Sequence, residues 1–224
     1  MLANAHRGDW SVSRENTLAA FAAAEQAGAD MIELDVRLAA DGGVAVLHDR
    51  TLERVWGMSR AIAELTLDEL REIGVPGLRE TLAATELPVM VDYVDFDVAE
   101  PALEEVRRAG AVERALFAGG NLEGHRRLRE LEPAARIALT WTTRTPPSDE
   151  LLDELEPEYF NPAWELLQPA LVEAMHERGL RVSAWTVDEP ATMAAMLDLG
   201  VDLLTTNRVA ELVALLADRG AARC

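Results

Sequence analysis

The chain has no lysine; all 21 of its basic side chains are arginine. Schiff-base chemistry and the phosphate-binding lysine of a Walker-type loop are therefore excluded. Cysteine is almost as scarce, with Cys224 the single example, which excludes internal disulfides and cysteine-rich zinc sites. No apolar run approaches the ~20 residues that a membrane-spanning helix needs. Residues 1–6 lack the basic stretch followed by an apolar run that marks a secretory signal. The expected address is cytoplasmic, without stable membrane insertion. No Gly-x-Gly-x-x-Gly follows the first strand-like run, which argues against a dinucleotide-binding sheet. Positive charge is in short supply: 40 acidic residues leave a formal net charge of −19. Much of that acidity serves solubility, and it argues against nucleic acid as a partner. A phosphate-bearing ligand would need a local positive focus, which a bound metal supplies.

What is present is a regular alternation. Short apolar runs at 2–5, 31–36, 44–47, 87–94, 115–118, 136–140, 159–161, 181–186 and 201–205 predict strands. Amphipathic stretches at 17–27, 102–109, 122–131, 166–178, 191–199 and 209–217 predict helices, with shorter ones near 67–73 and 78–84. Gly28, Gly110, Gly179 and Gly200 stand where helices should stop. Strand–helix repetition means parallel strands joined by crossovers. The expectation is an α/β fold, a (β/α)8 barrel formed by one domain over residues 1–224. One connection differs. The 31–36 and 44–47 runs are separated by a link containing Asp41-Gly42, a tight-turn pair, so these two strands must be antiparallel. With Asp41 and Gly42 as a two-residue loop, Ala40 faces Gly43 and Asp35 faces His48; a one-residue slip would still leave Asp35 and His48 neighbours.

Polar residues inside apolar strands carry the chemistry. Glu33 and Asp35 are two apart in Met31-Ile32-Glu33-Leu34-Asp35-Val36, so both carboxylates share a face. Two acids within a covered barrel strand repel each other and lose hydration unless a cation lies between them. A hard, oxygen-preferring ion such as calcium or magnesium suits that task. Asp92 repeats the pattern in Pro88-Val89-Met90-Val91-Asp92 and is a candidate third ligand, whereas Asp95 and Asp97 read as solvated loop residues. His6 and His48 close strands near this pair, which suits acid–base work. His125 and His176, in charged helical surroundings, read as surface residues.

Together these residues resemble the glycerophosphodiester phosphodiesterase family, within the superfamily of phospholipase-C-like phosphodiesterases. The resemblance rests on Ala5-His6-Arg7-Gly8, Glu15-Asn16-Thr17, Ile32-Glu33-Leu34-Asp35-Val36, Asp41-Gly42 and His48-Asp49, and later on Trp185-Thr186-Val187-Asp188 and Thr205-Thr206-Asn207-Arg208. It implies a TIM-type barrel that hydrolyses small glycerophosphodiesters to sn-glycerol 3-phosphate and an alcohol. Glu33 and Asp35 would bind one divalent cation, Ca2+ or Mg2+, with Asp92 in the third ligand position. His6 and His48 would be the catalytic acid and base, and Arg7 would bind phosphate. One departure stands out. Where the family has Glu-x-Lys, this chain has Asp92-Tyr93-Val94, leaving Arg37, Arg50 and Arg144 as possible substitutes for the lysine's charge. The alternatives to efficient hydrolysis are a degenerate binding protein and a phospholipase-D-like activity on lysophospholipids.

Overall fold

The computed structural model describes residues 1–220, so Cys224 lies outside the described residues. Nine strands alternate with helices. The strands are β1 (Leu2–Ala5), β2 (Met31–Leu38), β3 (Val44–Val46), β4 (Val89–Asp92), β5 (Ala115–Gly119), β6 (Arg136–Trp141), β7 (Tyr159–Pro162), β8 (Arg181–Ala184) and β9 (Leu203–Thr206). The helices are α1 (Leu18–Gln26), α2 (Glu53–Trp56), α3 (Leu67–Glu72), α4 (Leu78–Ala84), α5 (Ala99–Arg108), α6 (Leu122–Leu131), α7 (Asp149–Leu155), α8 (Pro169–Glu177), α9 (Pro190–Leu199) and α10 (Val209–Asp218). Eight strands pair in parallel in the order β1-β2-β4-β5-β6-β7-β8-β9, and β9 pairs with β1 to close a barrel. β3 lies outside the ring, antiparallel to the end of β2. The fold is the expected TIM barrel.

Local chemistry explains where elements start and stop. Thr17 caps α1 by accepting the Ala20 N–H, and a reciprocal Thr66–Glu69 capping box opens α3. Pro169 and Pro190 stand at the first turns of α8 and α9, where a missing N–H costs nothing. This is why α8 begins at Pro169; Leu166, expected to open it, ends a separate single turn over Trp164–Leu166.

Side-chain parity divides the strands between two cores. Outward residues such as Ile32, Leu34, Val89, Val91 and Phe117 pack under the helices. Inward residues Met31, Met90, Leu116, Ala118, Ala138, Tyr159 and Leu203 plug the barrel. Each fully buried large side chain contributes about 1.5–3 kcal/mol. Two residues further along the same faces, the interior turns polar: Glu33 follows Met31, Asp92 follows Met90, Asn161 follows Tyr159 and Thr205 follows Leu203. The plug sits at one end and the polar layer at the other.

Two sequence expectations are corrected here. The β2–β3 hairpin pairs Val36 with Val46 and Arg37 with Ala45, so its register is shifted by one and Leu47, not His48, lies opposite Asp35. The loop has three residues, Ala40–Asp41–Gly42, closed by the Ala39–Gly43 pair, with Gly42 at φ +79°. A turn with its last residue left-handed is the three-residue alternative to the two-residue hairpin. The second correction is His125, which is fully buried. Tyr93 donates its O–H to His125 Nδ1 at 2.8 Å, and Nε2–H donates to the Gly119 carbonyl at 2.8 Å. Burial pushes the His125 pKa down to about 4 despite the Gly119 hydrogen bond, so the ring is neutral.

This buried link holds the end of β5 against the segment after Asp92. Gly119 has φ +142°, and a Cβ there would meet the Tyr93 carbonyl oxygen at 2.3 Å. Gly119→Ala should therefore cost at least about 2 kcal/mol in urea unfolding. Gly120→Ala, whose added Cβ meets nothing nearer than 3.9 Å, should stay within about 0.5 kcal/mol of the parent.

Candidate active site

At the C-terminal ends of the strands the polar layer opens into a cavity of about 200 Å3. His6, Arg7, Glu33, Asp35, His48 and Asp92 all line it. Three elements deliver them: the end of β1, the inward face of β2 with its neighbour β4, and the residue pair after β3. Asp35 and Asp92 are direct partners across the β2–β4 ladder, so their carboxylates are held side by side.

Among the described residues, Arg7 is the one cation in contact with these acids. Arg7 adopts a left-handed backbone, φ +57°, in which its N–H donates to Glu33 Oε2 at 2.8 Å. Its Nε lies 3.0 Å from Asp35 Oδ2, in ionic contact but without hydrogen-bond alignment, and its Nη1 donates to Glu15 Oε1 at 3.0 Å. Asn16, itself left-handed at φ +55° and fully buried, donates Nδ2–H to Asp35 Oδ2 at 2.8 Å. One guanidinium cannot neutralise three carboxylates. Burial, then the charges of Asp35 and Asp92, raise the Glu33 pKa well above the usual range. Burial and the Asp35 charge push Asp92 up to about 7.

The two histidines are oriented in different ways. His6 Nδ1 is 2.6 Å from Asn207 Oδ1, and Asn207 donates Nδ2–H to Asp188 Oδ2 at 2.7 Å. Since Asn207 presents an oxygen, His6 Nδ1 carries the proton. Burial and the Arg7 charge lower the His6 pKa against that hydrogen bond. His48 Nδ1 is 2.7 Å from Asp49 Oδ1. Burial opposes ionisation of Asp49, but hydrogen bonds from Arg54 and His48 hold its pKa at about 2. In both rings Nδ1 is engaged and Nε2 is left for chemistry.

The donor set of Glu33, Asp35 and Asp92 is all oxygen, crowded and under-neutralised, and so fits a hard divalent cation. Among the described residues, however, no group of three or more acidic, histidine or cysteine side chains is arranged as a metal's ligands would be. The carboxylates are gathered; their coordination geometry is not set.

The lysine substitutes do not reach the cavity. Arg37 Nη1 and Arg50 Nη2 both bind Asp95, at 2.7 and 2.6 Å, and Arg37 Nε donates to the His48 carbonyl. Asp95 is thus a clamp, not the free loop acid expected from sequence. Arg144 is exposed and does not line the cavity. Val94 does line it, and is 59% exposed. Trp185 also lines it, with Nε1–H donated to the Asn161 carbonyl, whereas Trp141 bonds Thr145 outside. Larger grooves of about 580 Å3 along α5 and about 730 Å3 beside the end of β2 contain no histidine, so chemistry and not volume selects the small cavity.

With its two histidines, arginine and three carboxylates at the C-terminal mouth, this closed barrel matches a family of phosphoric diester hydrolases. The family model described as the glycerophosphoryl diester phosphodiesterase family matches residues 6–113 and 97–211, and the chain belongs to that family. It is 31% identical to a probable glycerophosphodiester phosphodiesterase of Mycobacterium tuberculosis, over 98% of this chain and 92% of the relative. A glycerophosphodiester phosphodiesterase of Caldanaerobacter subterraneus is 28% identical over 96% and 98% of the two chains. A solved phosphodiesterase of Oleispira antarctica, in complex with the product sn-glycerol 3-phosphate, superposes with a TM-score of 0.86 over 97% of each chain at 21% identity.

Because native Asp92 keeps its proton up to about pH 7 and unfolded aspartate loses it near pH 3.8, the native state binds more protons between those values. Stability of the metal-free protein should fall as pH rises from 4 to 7. Asp92→Asn should flatten that slope in thermal melts recorded across the range.

Proposed function

We propose that this protein hydrolyses small glycerophosphodiesters to sn-glycerol 3-phosphate and an alcohol, with one divalent cation, calcium or magnesium, as cofactor. The observation that carries the reading is the convergence of His6, Arg7, Glu33, Asp35, His48 and Asp92 on one cavity. A single barrel domain over residues 1–224 is the unit of function. The product held by the Oleispira relative supports the substrate class.

Glu33, Asp35 and Asp92 hold the cation in this scheme, and Arg7 orients a phosphoryl oxygen. When bound, the cation neutralises a phosphoryl oxygen and lowers the pKa of the attacking hydroxyl. His6, whose burial favours the unprotonated ring, is assigned as the base, and His48, held by Asp49 through Nδ1, as the acid. His6 Nε2 accepts the proton of the glycerol 2-hydroxyl as its oxygen bonds to phosphorus. The bond from phosphorus to the alcohol oxygen breaks as His48 Nε2 donates its proton to that oxygen. Water then opens the cyclic phosphate with the two histidines exchanging roles. Nucleophile and phosphorus belong to one molecule, so orientation needs no protein nucleophile.

A second reading, phospholipase-D-like attack on lysophospholipids, is favoured by one observation. The large exposed apolar side chains among the described residues are Trp10, Val12, Val94 and Phe96. All four stand on the loops after β1 and β4, at the cavity end of the barrel. No helix of the described residues is long and apolar enough to cross a membrane, so any lipid would have to reach the site at this rim.

Purified protein with glycerophosphocholine and calcium or magnesium should release glycerol 3-phosphate, and chelation should abolish release. His6→Ala should lower turnover by about 10²–10⁴-fold. Absence of metal-dependent product across several head groups would leave the binding-protein reading ahead. Val94→Lys should raise turnover at least about tenfold if the missing charge limits the rate. With lysophosphatidylcholine, Val12→Ser with Phe96→Ser should raise KM while leaving that for glycerophosphocholine unchanged; equal effects on both substrates would remove the second reading.

A further inference from the structure

Arg54 lies on α2, a four-residue helix that buries none of its side chains, and it takes no part in the cavity lining. Yet its guanidinium is fully engaged on two acids that themselves hold cavity residues. Nε donates to Asp49 Oδ2 at 2.6 Å, while Nη1 and Nη2 donate to Glu15 Oε2 and Oε1 at 2.8 and 2.7 Å. Asp49 Oδ1 is bound to His48 Nδ1, and Glu15 Oε1 is bound to Arg7 Nη1. The result is one unbroken chain: His48–Asp49–Arg54–Glu15–Arg7.

We propose that Arg54 is a positioning residue that sets both the acid–base histidine His48 and the phosphate-facing arginine Arg7. The assignment rests on the hydrolase reading above. Two electrostatic consequences follow from the geometry. Arg54 fixes the Asp49 carboxylate in the orientation that receives His48 Nδ1–H, which leaves Nε2 toward the cavity. It also takes both oxygens of Glu15, so that Glu15 supports Arg7 without absorbing its charge, which remains available to an anionic substrate. An isolated exposed pair contributes little; a bidentate fork shared between two acids is a different arrangement, and lysine cannot reproduce it.

The test uses the whole chain carrying Arg54→Gln, Arg54→Lys, Asp49→Asn, or Arg54→Gln with Asp49→Asn. Activity on glycerophosphocholine is measured across pH, together with melting temperature and the ring-nitrogen NMR signals of His48. Arg54→Gln should lower kcat about 10–100-fold and raise KM, with melting within a few degrees of the parent because no core contact is lost. Arg54→Lys should recover part of the loss. The double variant should have a kcat within about twofold of Asp49→Asn alone, because Arg54 reaches His48 through Asp49, while its KM should be higher than that of Asp49→Asn through the Glu15–Arg7 route. Parent values of kcat and KM for Arg54→Gln, or kcat costs that multiply in the double variant, overturn the inference. If the parent chain itself shows no turnover, the hydrolase reading fails separately. The His48 spectrum still decides: a protonated Nδ1 signal unchanged by Arg54→Gln overturns the positioning role, and its loss supports it.

Discussion

Three carboxylates held against one guanidinium are the constraint around which this barrel mouth is organised. Glu33 and Asp35 share a strand face, and Asp92 is their neighbour on the adjacent strand. In a covered barrel such acids can neither spread apart nor reach bulk water. The raised pKa values of Glu33 and Asp92 express that strain, and Arg7 relieves only part of it. A site built this way is paid for elsewhere in the fold, by the apolar plug of Met31, Met90, Tyr159 and Leu203 beneath it.

The geometry around Arg7 explains why so many neighbouring residues are polar and oddly shaped. Its left-handed backbone presents an N–H to Glu33, and the left-handed, buried Asn16 presents an amide to Asp35. Non-glycine residues with positive φ cost energy that surrounding contacts must offset. Here those contacts are the hydrogen bonds to the acids. The histidines that line the same cavity have unlike partners, an amide behind His6 and a carboxylate behind His48.

The substitution of Val94 for the family lysine acquires a structural context. Two candidate replacements for that charge, Arg37 and Arg50, are tied down by Asp95, the residue after Val94. Arg37 also donates to the carbonyl of His48, and neither arginine lines the cavity. Val94 instead is exposed, as are Trp10, Val12 and Phe96 on the loops after β1 and β4.

The sequence by itself determined the strand–helix alternation, the outlying antiparallel strand and five polar residues of the cavity, His6, Glu33, Asp35, His48 and Asp92, with Arg7 added by the family resemblance. These depend on short-range rules: the two-residue period of a strand places Glu33 beside Asp35, and a brief Asp41-Gly42 link forces a hairpin. It did not determine the hairpin register, because Asp-Gly serves loops of two or three residues and only tertiary contacts choose. It misjudged His125, whose charged neighbours on α6 hide an inward face that becomes visible only when Tyr93 closes on it. Asp95 and Arg54 were equally opaque, since each acts through partners 39 to 58 residues away in the chain. Strand parity is a local property that composition reveals; which distant charges meet is fixed only when barrel closure brings their loops to the same end.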